Sequence, residues 1–345
     1  MNRKFRFVAD SAIPYMDILQ GWADCTFCEA SDITPELVRD ADALFVRTRT
    51  ICNAALLEGS RVSLVASATI GTDHIDIGWC SDNGIRVTSA PGCNSSAVRQ
   101  YVFTALYALA HRKDISLSGL TIGVIGVGNV GSKVAEFGRR LGFKVLLNDP
   151  PRESREPHNA NLFTPLDQLL ARSDIVTLHI PLWESNREMV DGTFFENMRE
   201  NAIFVNTSRG EVVCENALLR YLPRFSGVVT DVWGGEPDIN RELLEAVDIA
   251  TPHIAGYSRQ GKINGSTAVV RAVGEHFGID VLKAFAVRDE TAVVRFDPED
   301  LSQNEICDRL CNIYDIWEDD GMLRSDPGKF EQIRSHYNYR TEFYV

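Results

Sequence analysis

Gly123-Val124-Ile125-Gly126-Val127-Gly128-Asn129-Val130-Gly131 is the stretch that decides the fold of this chain. The pattern G-x-G-x-x-G falls on Gly126, Gly128 and Gly131. An apolar run, Leu120–Ile125, leads into it, and Val134, Phe137 and Leu141 follow at helical spacing. A strand that turns sharply into a helix is therefore expected. Gly126 would allow the tight turn, Gly128 would let the backbone approach a pyrophosphate, and Gly131 would let helix and strand pack closely. The N–H groups at the helix start would face the phosphates. Asp149 ends the next apolar run, Lys144–Asn148. A carboxylate there accepts from ribose hydroxyls and repels a 2′-phosphate, which favours NAD over NADP in spite of the nearby Arg152. A glycine turn with no ligand is the alternative; the strand, the helix and the acid around it argue against that.

Outward from this motif, short apolar runs alternate with helical segments in both directions. On the N-terminal side the expected strands are Phe5–Ala9, Ala43–Val46, Val62–Ala68 and Ile85–Thr88. Helical stretches Pro14–Gln20, Pro35–Arg39, Asn53–Glu58 and His74–Asn83 fall between them. A long helix carrying Val98, Tyr101, Val102, Ala105, Leu106 and Leu109 connects them to the second series. That series continues through Asp174–His179, Ala202–Asn206, Gly227–Asp231 and Val247–Ala250. Strand–helix alternation of this kind means parallel sheets with crossovers, hence an α/β chain. From Gly256 the sequence reads as helix to about Phe285. In the tail, Leu301, Ile306, Leu310, Ile313, Tyr314 and Trp317 fit one amphipathic helix, and Phe330, Ile333 and Tyr337 a shorter one. Glu318–Lys329, rich in Asp, Gly and Pro, reads as the connection between them.

The chain has 345 residues, ample for two domains. Its 35 basic and 48 acidic side chains give a net charge of −13, which repels nucleic acid and anionic membrane over most of the surface. The 8 cysteines are scattered and do not form a disulfide framework, and no leader or membrane-spanning run is evident, so a cytoplasmic setting is expected. Cys25-x-x-Cys28 could pair only with the remote Cys307-x-x-x-Cys311, so no metal site is expected.

Three segments lie at the C-terminal ends of later strands, where open α/β sheets place their ligands: Val205–Gly210, Asp231–Pro237 and Thr251–Tyr257. They supply Arg209, Glu236 and His253. Removing a hydride from an alcohol carbon requires a base for the hydroxyl proton, a role suited to an imidazole oriented by a carboxylate. A guanidinium can clamp a substrate carboxylate at two points. The set fits oxidation of a 2-hydroxy acid.

These motifs resemble the D-isomer-specific 2-hydroxyacid dehydrogenase family over roughly residues 65–257, extended by the overall layout to about 285. The resemblance implies a Rossmann-type doubly wound NAD domain (93–256) and a flavodoxin-like substrate domain (1–92 with 257–285). It also implies a small C-terminal α/β or helical dimerisation appendage (286–345), and hence a homodimer. Arg209 would bind and polarise the substrate, Glu236 support the imidazole, and His253 act as acid and base, in a cleft between the two domains. Ala90-Pro-Gly-Cys-Asn94, Asn148-Asp-Pro-Pro-Arg152 and Pro252-His-Ile-Ala-Gly-Tyr257 are more particular. They are similar to a branch of the family acting on a small anionic phosphorylated 2-hydroxy acid, although members acting on phosphoglycerate or on glyoxylate and hydroxypyruvate remain alternatives. By the same resemblance Thr48, Thr69 and Tyr257 would contact substrate. Asn129, Val130, Asp149, Thr177, Thr207, Ser208, Arg209, Asp231 and Gly256 would join the three glycines in holding NAD. Arg47 and Arg49 flank Thr48 in a short basic loop suited to a phosphate. His74, His111, His179 and His276 have no arguable partners and read as structural or surface residues. A non-catalytic nucleotide sensor is disfavoured, because it need not keep Arg, Glu and His together.

Overall fold

The computed structural model describes residues 4–289 and 291–345. The chain forms two compact units: the part up to Asn94 together with Ser258–Ala292, and Ser95–Tyr257 together with Val293–Val345.

In the first unit, β1 (Phe5–Asp10), β2 (Ala23–Cys28), β3 (Ala43–Val46), β4 (Leu64–Ser67) and β5 (Arg86–Thr88) form one parallel sheet in the order β2-β1-β3-β4-β5. This is the flavodoxin-like order. Successive side chains point to opposite faces, and both faces are buried. Phe7, Phe45, Leu64 and Ala66 pack with Val269, Val270 and Val273 of the helix Arg259–Phe277. Leu44, Val46 and Val65 pack on the other face with Val38, Leu56 and Cys80. β2 escapes sequence reading because Ala23-Asp-Cys-Thr-Phe-Cys28 is an edge strand with a mixed pattern and little burial. The expected helix at Pro14–Gln20 is a 3-10 turn at Met16–Gly21.

The second unit holds β6 (Thr121–Ile125), β7 (Lys144–Asn148), β8 (Ile175–Leu178), β9 (Ile203–Asn206), β10 (Gly227–Thr230) and β11 (Ile249–Ala250). They form a parallel sheet ordered β11-β10-β9-β8-β6-β7. The order reverses between β6 and β8, which makes that gap the topological switch point. The helix Ser95–Lys113 is buried from Ala97 to Ala110. It shares one core with Ile122, Val124, Val205 and Val229 of the sheet.

The tail completes that core. Gln303–Ile313 is a helix opened by a capping box of Ser302 and Glu305. Its Ile306 and Leu310, with Tyr314 and Ile316, sit in the same cluster as Tyr101 and Leu106. The stripe is therefore an internal helix contact. Residues 318–325 belong to a second helix, Ile316–Ser325, rather than to a connection. The Asp315 side chain caps its start, and its Asp and Gly residues are tolerated because Ile316 and Leu323 anchor it in the core. The helix Phe330–Ser335 follows, and a parallel pair of β12 (Val294–Arg295) and β13 (Phe343–Tyr344) closes the chain.

Candidate active site

The strand register gathers three loops at one end of the second unit's sheet. Asn206 pairs with Thr230, and Thr230 with Ala250, so the loops carrying Arg209, Glu236 and His253 leave adjacent strands at one level. Asn206 shapes the first loop. Its Oδ1 accepts from the Ser208 N–H (3.0 Å) and hydroxyl (2.8 Å), and its Nδ2 donates to the Arg209 carbonyl. Gly210 then packs on the backbone of Trp233; a Cβ there would lie 1.9 Å from the Trp233 carbonyl carbon. The Arg209 loop thereby rests on the loop carrying Glu236. The Trp233 indole N–H donates to the Thr251 carbonyl at 2.9 Å, tying in the third loop.

Within this frame, His253 Nδ1 stands 2.8 Å from Glu236 Oε2, while Glu236 Oε1 accepts from the Trp233 N–H at 2.9 Å. Burial pushes the Glu236 carboxyl up, but the His253 imidazole and its hydrogen bond outweigh that and hold it below the usual range. An Nδ1–H donated to Glu236 leaves Nε2 to exchange a proton. His253 adopts φ 57°, a left-handed conformation unfavourable for a residue with a Cβ. Asp231 stabilises it. Its carboxylate accepts from the Ile254 and Ala255 N–H groups (2.8 and 2.9 Å) and from the Thr251 hydroxyl (2.6 Å). Asp231 is buried, so its side chain shapes the His253 loop. Thr177 and Ser208 are likewise buried, their hydroxyls directed at His179 and Asn206. Arg209 is partly exposed and also donates to the Ser208 carbonyl.

At the switch point the glycine loop fits a dinucleotide. Gly126 has φ +84°, and a Cβ there would meet the His179 carbonyl at 2.6 Å. A Cβ on Gly131 would lie 1.9 Å from the Gly126 carbonyl oxygen, whereas one on Gly128 would meet nothing within 4 Å. The first and third glycines are thus demanded by packing, and the second leaves its backbone open to a phosphate. Asn129 and Val130, exposed and partly exposed, start the helix Asn129–Arg140. Asp149 Oδ2 accepts from the Val127 N–H at 2.8 Å, fixing the carboxylate beside the loop. Arg152 is paired with Glu156 at 2.8 Å and donates to the Val127 carbonyl.

His179, which the sequence gives no reason to single out, follows β8 at the same switch point. Its Nε2 and Nδ1 lie 3.0 and 3.3 Å from the hydroxyls of Thr177 and Thr207. Burial lowers its pKa to about 3, so the imidazole is neutral. The C-terminal segment is the other omission. The Tyr257 ring packs against Tyr337 and Tyr339, with centroids 5.8 and 5.7 Å away, and the Arg334 guanidinium lies 5.9 Å from it.

Arg47, Thr48 and Thr69 belong to the first unit. Val46 pairs with Ser67, so their loops leave one end of that sheet together. Thr48 and Arg49 are exposed, and Arg47 Nε donates to Asp10 Oδ2 at 3.0 Å. The Thr69 and Ser67 hydroxyls are 2.7 Å apart. Lys262 joins this group from the helix Arg259–Phe277, which lies so close that a Cβ on its Gly265 would be 2.4 Å from the Ala68 carbonyl oxygen. Burial, with the positive charge of Arg47 adding to it, lowers the Lys262 pKa to about 8. Nothing in the sequence spacing connects Lys262 to residues 47–49; only the fold does.

The second unit thus carries a glycine-rich turn at its switch point, an imidazole paired with a carboxylate, and an arginine on the neighbouring loop. Residues 96–255 match the NAD-binding domain of the D-isomer specific 2-hydroxyacid dehydrogenases. The D-lactate dehydrogenase of Aquifex aeolicus, solved with NAD and lactic acid, shares the fold at a TM-score of 0.70 and 25% identity, covering 81% of this chain and 97% of that one. The chain belongs to the D-isomer-specific 2-hydroxyacid dehydrogenase family. Within that family it is 42% identical to the erythronate-4-phosphate dehydrogenase of Bacteroides fragilis, over 98% of this chain and 97% of the relative. It is 38% identical to the enzyme of the same name from Serratia proteamaculans, over 98% and 93%.

Proposed function

We propose that this chain oxidises 4-phospho-D-erythronate at C2 to 2-oxo-3-hydroxy-4-phosphobutanoate, a step of pyridoxal 5′-phosphate biosynthesis. The observation that carries the chemistry is the 2.8 Å contact of His253 Nδ1 with Glu236 Oε2, on a loop beside that of Arg209. Nε2 takes the C2 hydroxyl proton as the C2 hydrogen leaves with its electron pair, and Glu236 stabilises the resulting imidazolium. Arg209 holds the substrate carboxylate and stabilises the charge on the forming carbonyl oxygen. NAD⁺ supplies the hydride acceptor. The N–H groups of Asn129 and Val130, the open backbone at Gly128 and the Asp149 carboxylate hold it, with Thr177, Thr207, Ser208, Asp231 and Gly256 shaping its bed.

The relatives' shared name supports the phosphorylated substrate. So does the cation group of Arg47, Arg49 and Lys262, which we assign to the phosphate together with Thr48 and Thr69; Tyr257 is assigned to the substrate as well. We further propose a homodimer, formed through the outer face of residues 286–345, where Met322 and Tyr344 are exposed. A cytoplasmic location fits eight cysteines outside any disulfide, and no helix among the described residues is long and apolar enough to cross a membrane.

The decisive experiment is turnover of 4-phospho-D-erythronate with 3-phospho-D-glycerate in parallel, following product with a 2-oxo acid present as an added acceptor for the hydride. Preference for phosphoerythronate is expected. Preference for phosphoglycerate, or turnover of neither, would overturn the substrate assignment.

A further inference from the structure

The C-terminal segment enters the catalytic loop through one buried side chain. The Arg340 guanidinium donates through Nη1 to the Ile254 carbonyl at 3.0 Å, and through Nη2 to the carbonyls of Ala255 and of Ala97, the latter at 3.3 Å. The N–H groups of Ile254 and Ala255 are the ones that donate to Asp231. The two residues after His253 are therefore held at both ends of their polar backbone, by a carboxylate on the N–H side and a guanidinium on the carbonyl side.

Arg340 is itself fixed. Its guanidinium lies over the Tyr314 ring at 4.4 Å, and Nη1 also reaches the Tyr337 hydroxyl at 3.2 Å. The Tyr314 and Tyr337 hydroxyls both donate to Asp319, at 2.7 and 2.9 Å. Beyond the Asp231 carboxylate, the Thr251 hydroxyl lies 2.6 Å from that of Tyr101. A continuous buried network thus runs from the tail, through the residues after His253, to the core helix.

The conformation of His253 gives this network its consequence. At φ 57° the residue lies in a region that persists only where its surroundings over-determine it. A loop held only from the Asp231 side could rotate its peptides toward an unstrained conformation and carry the imidazole away from Glu236. Displacing a reacting group by about 1 Å is enough to cost on the order of 100-fold in rate.

We propose that Arg340 is a positioning residue for the reaction: by holding the backbone carbonyls of Ile254 and Ala255, it fixes His253 in the strained conformation that pairs its imidazole with Glu236. Through Arg340 the tail then positions the acid–base loop of its own chain.

The test compares Arg340→Met, Arg340→Lys and Arg324→Met in the full-length enzyme. Arg324 is a matched control. It also belongs to the tail and donates to a backbone carbonyl, that of Val247 at 2.9 Å, while pairing with Asp320, whose carboxylate accepts from the Ala250 N–H in β11 and bonds none of residues 253–255. R340M is expected to lower kcat about 100-fold, with NADH affinity within threefold of the parent. It is also expected to lose the downfield Nδ1–H proton resonance of His253 that the Glu236 bond produces. R340K, whose ammonium is a single point charge without the planar fork, is expected to recover about tenfold of that rate. R324M is expected to lower the melting temperature while leaving kcat and the resonance unchanged. A folded R340M with parental kcat and resonance overturns the proposal, and so does an R324M that loses kcat in parallel with R340M. Where R340M does not fold, R340K decides: a loss of about tenfold supports the role, and parental kcat overturns it. The rate readout rests on the proposed dehydrogenase activity and the resonance does not. A parent that turns over no phosphorylated hydroxy acid would sink the substrate reading while the resonance still decides the role of Arg340.

Discussion

His253 Nδ1 and Glu236 Oε2 are 2.8 Å apart, and His253 makes this contact from a left-handed backbone conformation with φ 57°. The carboxylate fixes the imidazole tautomer. Glu236→Gln keeps the shape and removes the charge that stabilises the imidazolium formed in the reaction, so kcat for hydroxy acid oxidation should fall while NADH affinity stays near parental. His253→Ala should lower kcat by roughly 100- to 10,000-fold, the range of general acid–base catalysis, with NADH titrations nearly parental. An active His253→Ala, or a Glu236→Gln with parental kcat, would contradict the assigned roles.

The glycine loop makes a contrasting pair. A Cβ on Gly131 would sit 1.9 Å from the Gly126 carbonyl oxygen, backbone that cannot move without shifting the helix. Gly131→Ala should cost about 1–3 kcal/mol of stability, as overpacking does, and should weaken NADH binding too. Gly128→Ala meets no atom within 4 Å, so its melting temperature should be parental. Its methyl group instead intrudes where the pyrophosphate approaches, and NADH affinity should fall. Equal effects of the two substitutions on thermal stability would refute the division of roles.

The parts of this protein that sequence reading reached are those with a local periodicity or a local chemical requirement. The glycine loop, the strands before it and after it, and the Arg209, Glu236 and His253 loops each carry their own punctuation. β2 does not, because an edge strand with little burial needs no regular apolar alternation. The helix Ile316–Ser325 hides behind Asp319, Asp320 and Gly321, whose acids turn out to be buried and bonded, Asp319 to Tyr314 and Asp320 to the Ala250 N–H. His179, Lys262 and Arg340 share a different reason. Each gains its meaning from a partner on another element, reached only through strand order, helix approach or the return of the tail.

Lys262 should reveal itself through pH. With a pKa near 8, the ammonium is present below pH 8 and lost above it. Its contribution to holding a phosphate should disappear in the same window. The ratio kcat/KM for a phosphorylated substrate reports groups of the free enzyme, so it should decline as pH rises through about 8, mainly through KM. Lys262→Met should begin with a raised KM and lack that decline. A 2-hydroxy acid without a phosphate should show little of either effect. A Lys262→Met enzyme that keeps both the parental KM and the decline would remove Lys262 from the phosphate site.

His179 predicts a stability effect separate from catalysis. Its folded pKa is lowered to about 3 by burial, against an ordinary value of 6.5. Between those limits the unfolded chain binds a proton that the folded protein does not, so stability must fall as pH drops from 6.5 toward 3. A single such group contributes a slope of up to about 1.4 kcal/mol per pH unit. His179→Asn, which keeps hydrogen-bonding capacity toward Thr177 and Thr207 without titrating, should flatten the dependence by that amount. The measurement is the midpoint of urea unfolding for parent and variant between pH 7 and 4.5, with denaturant slopes compared to confirm a common unfolding transition. The two curves should diverge as pH falls, the parent losing stability faster. Parallel curves would mean that the imidazole between the two threonines accepts a proton in the folded protein, and His179 would then be a charge beside the NAD loop instead of a neutral support for it.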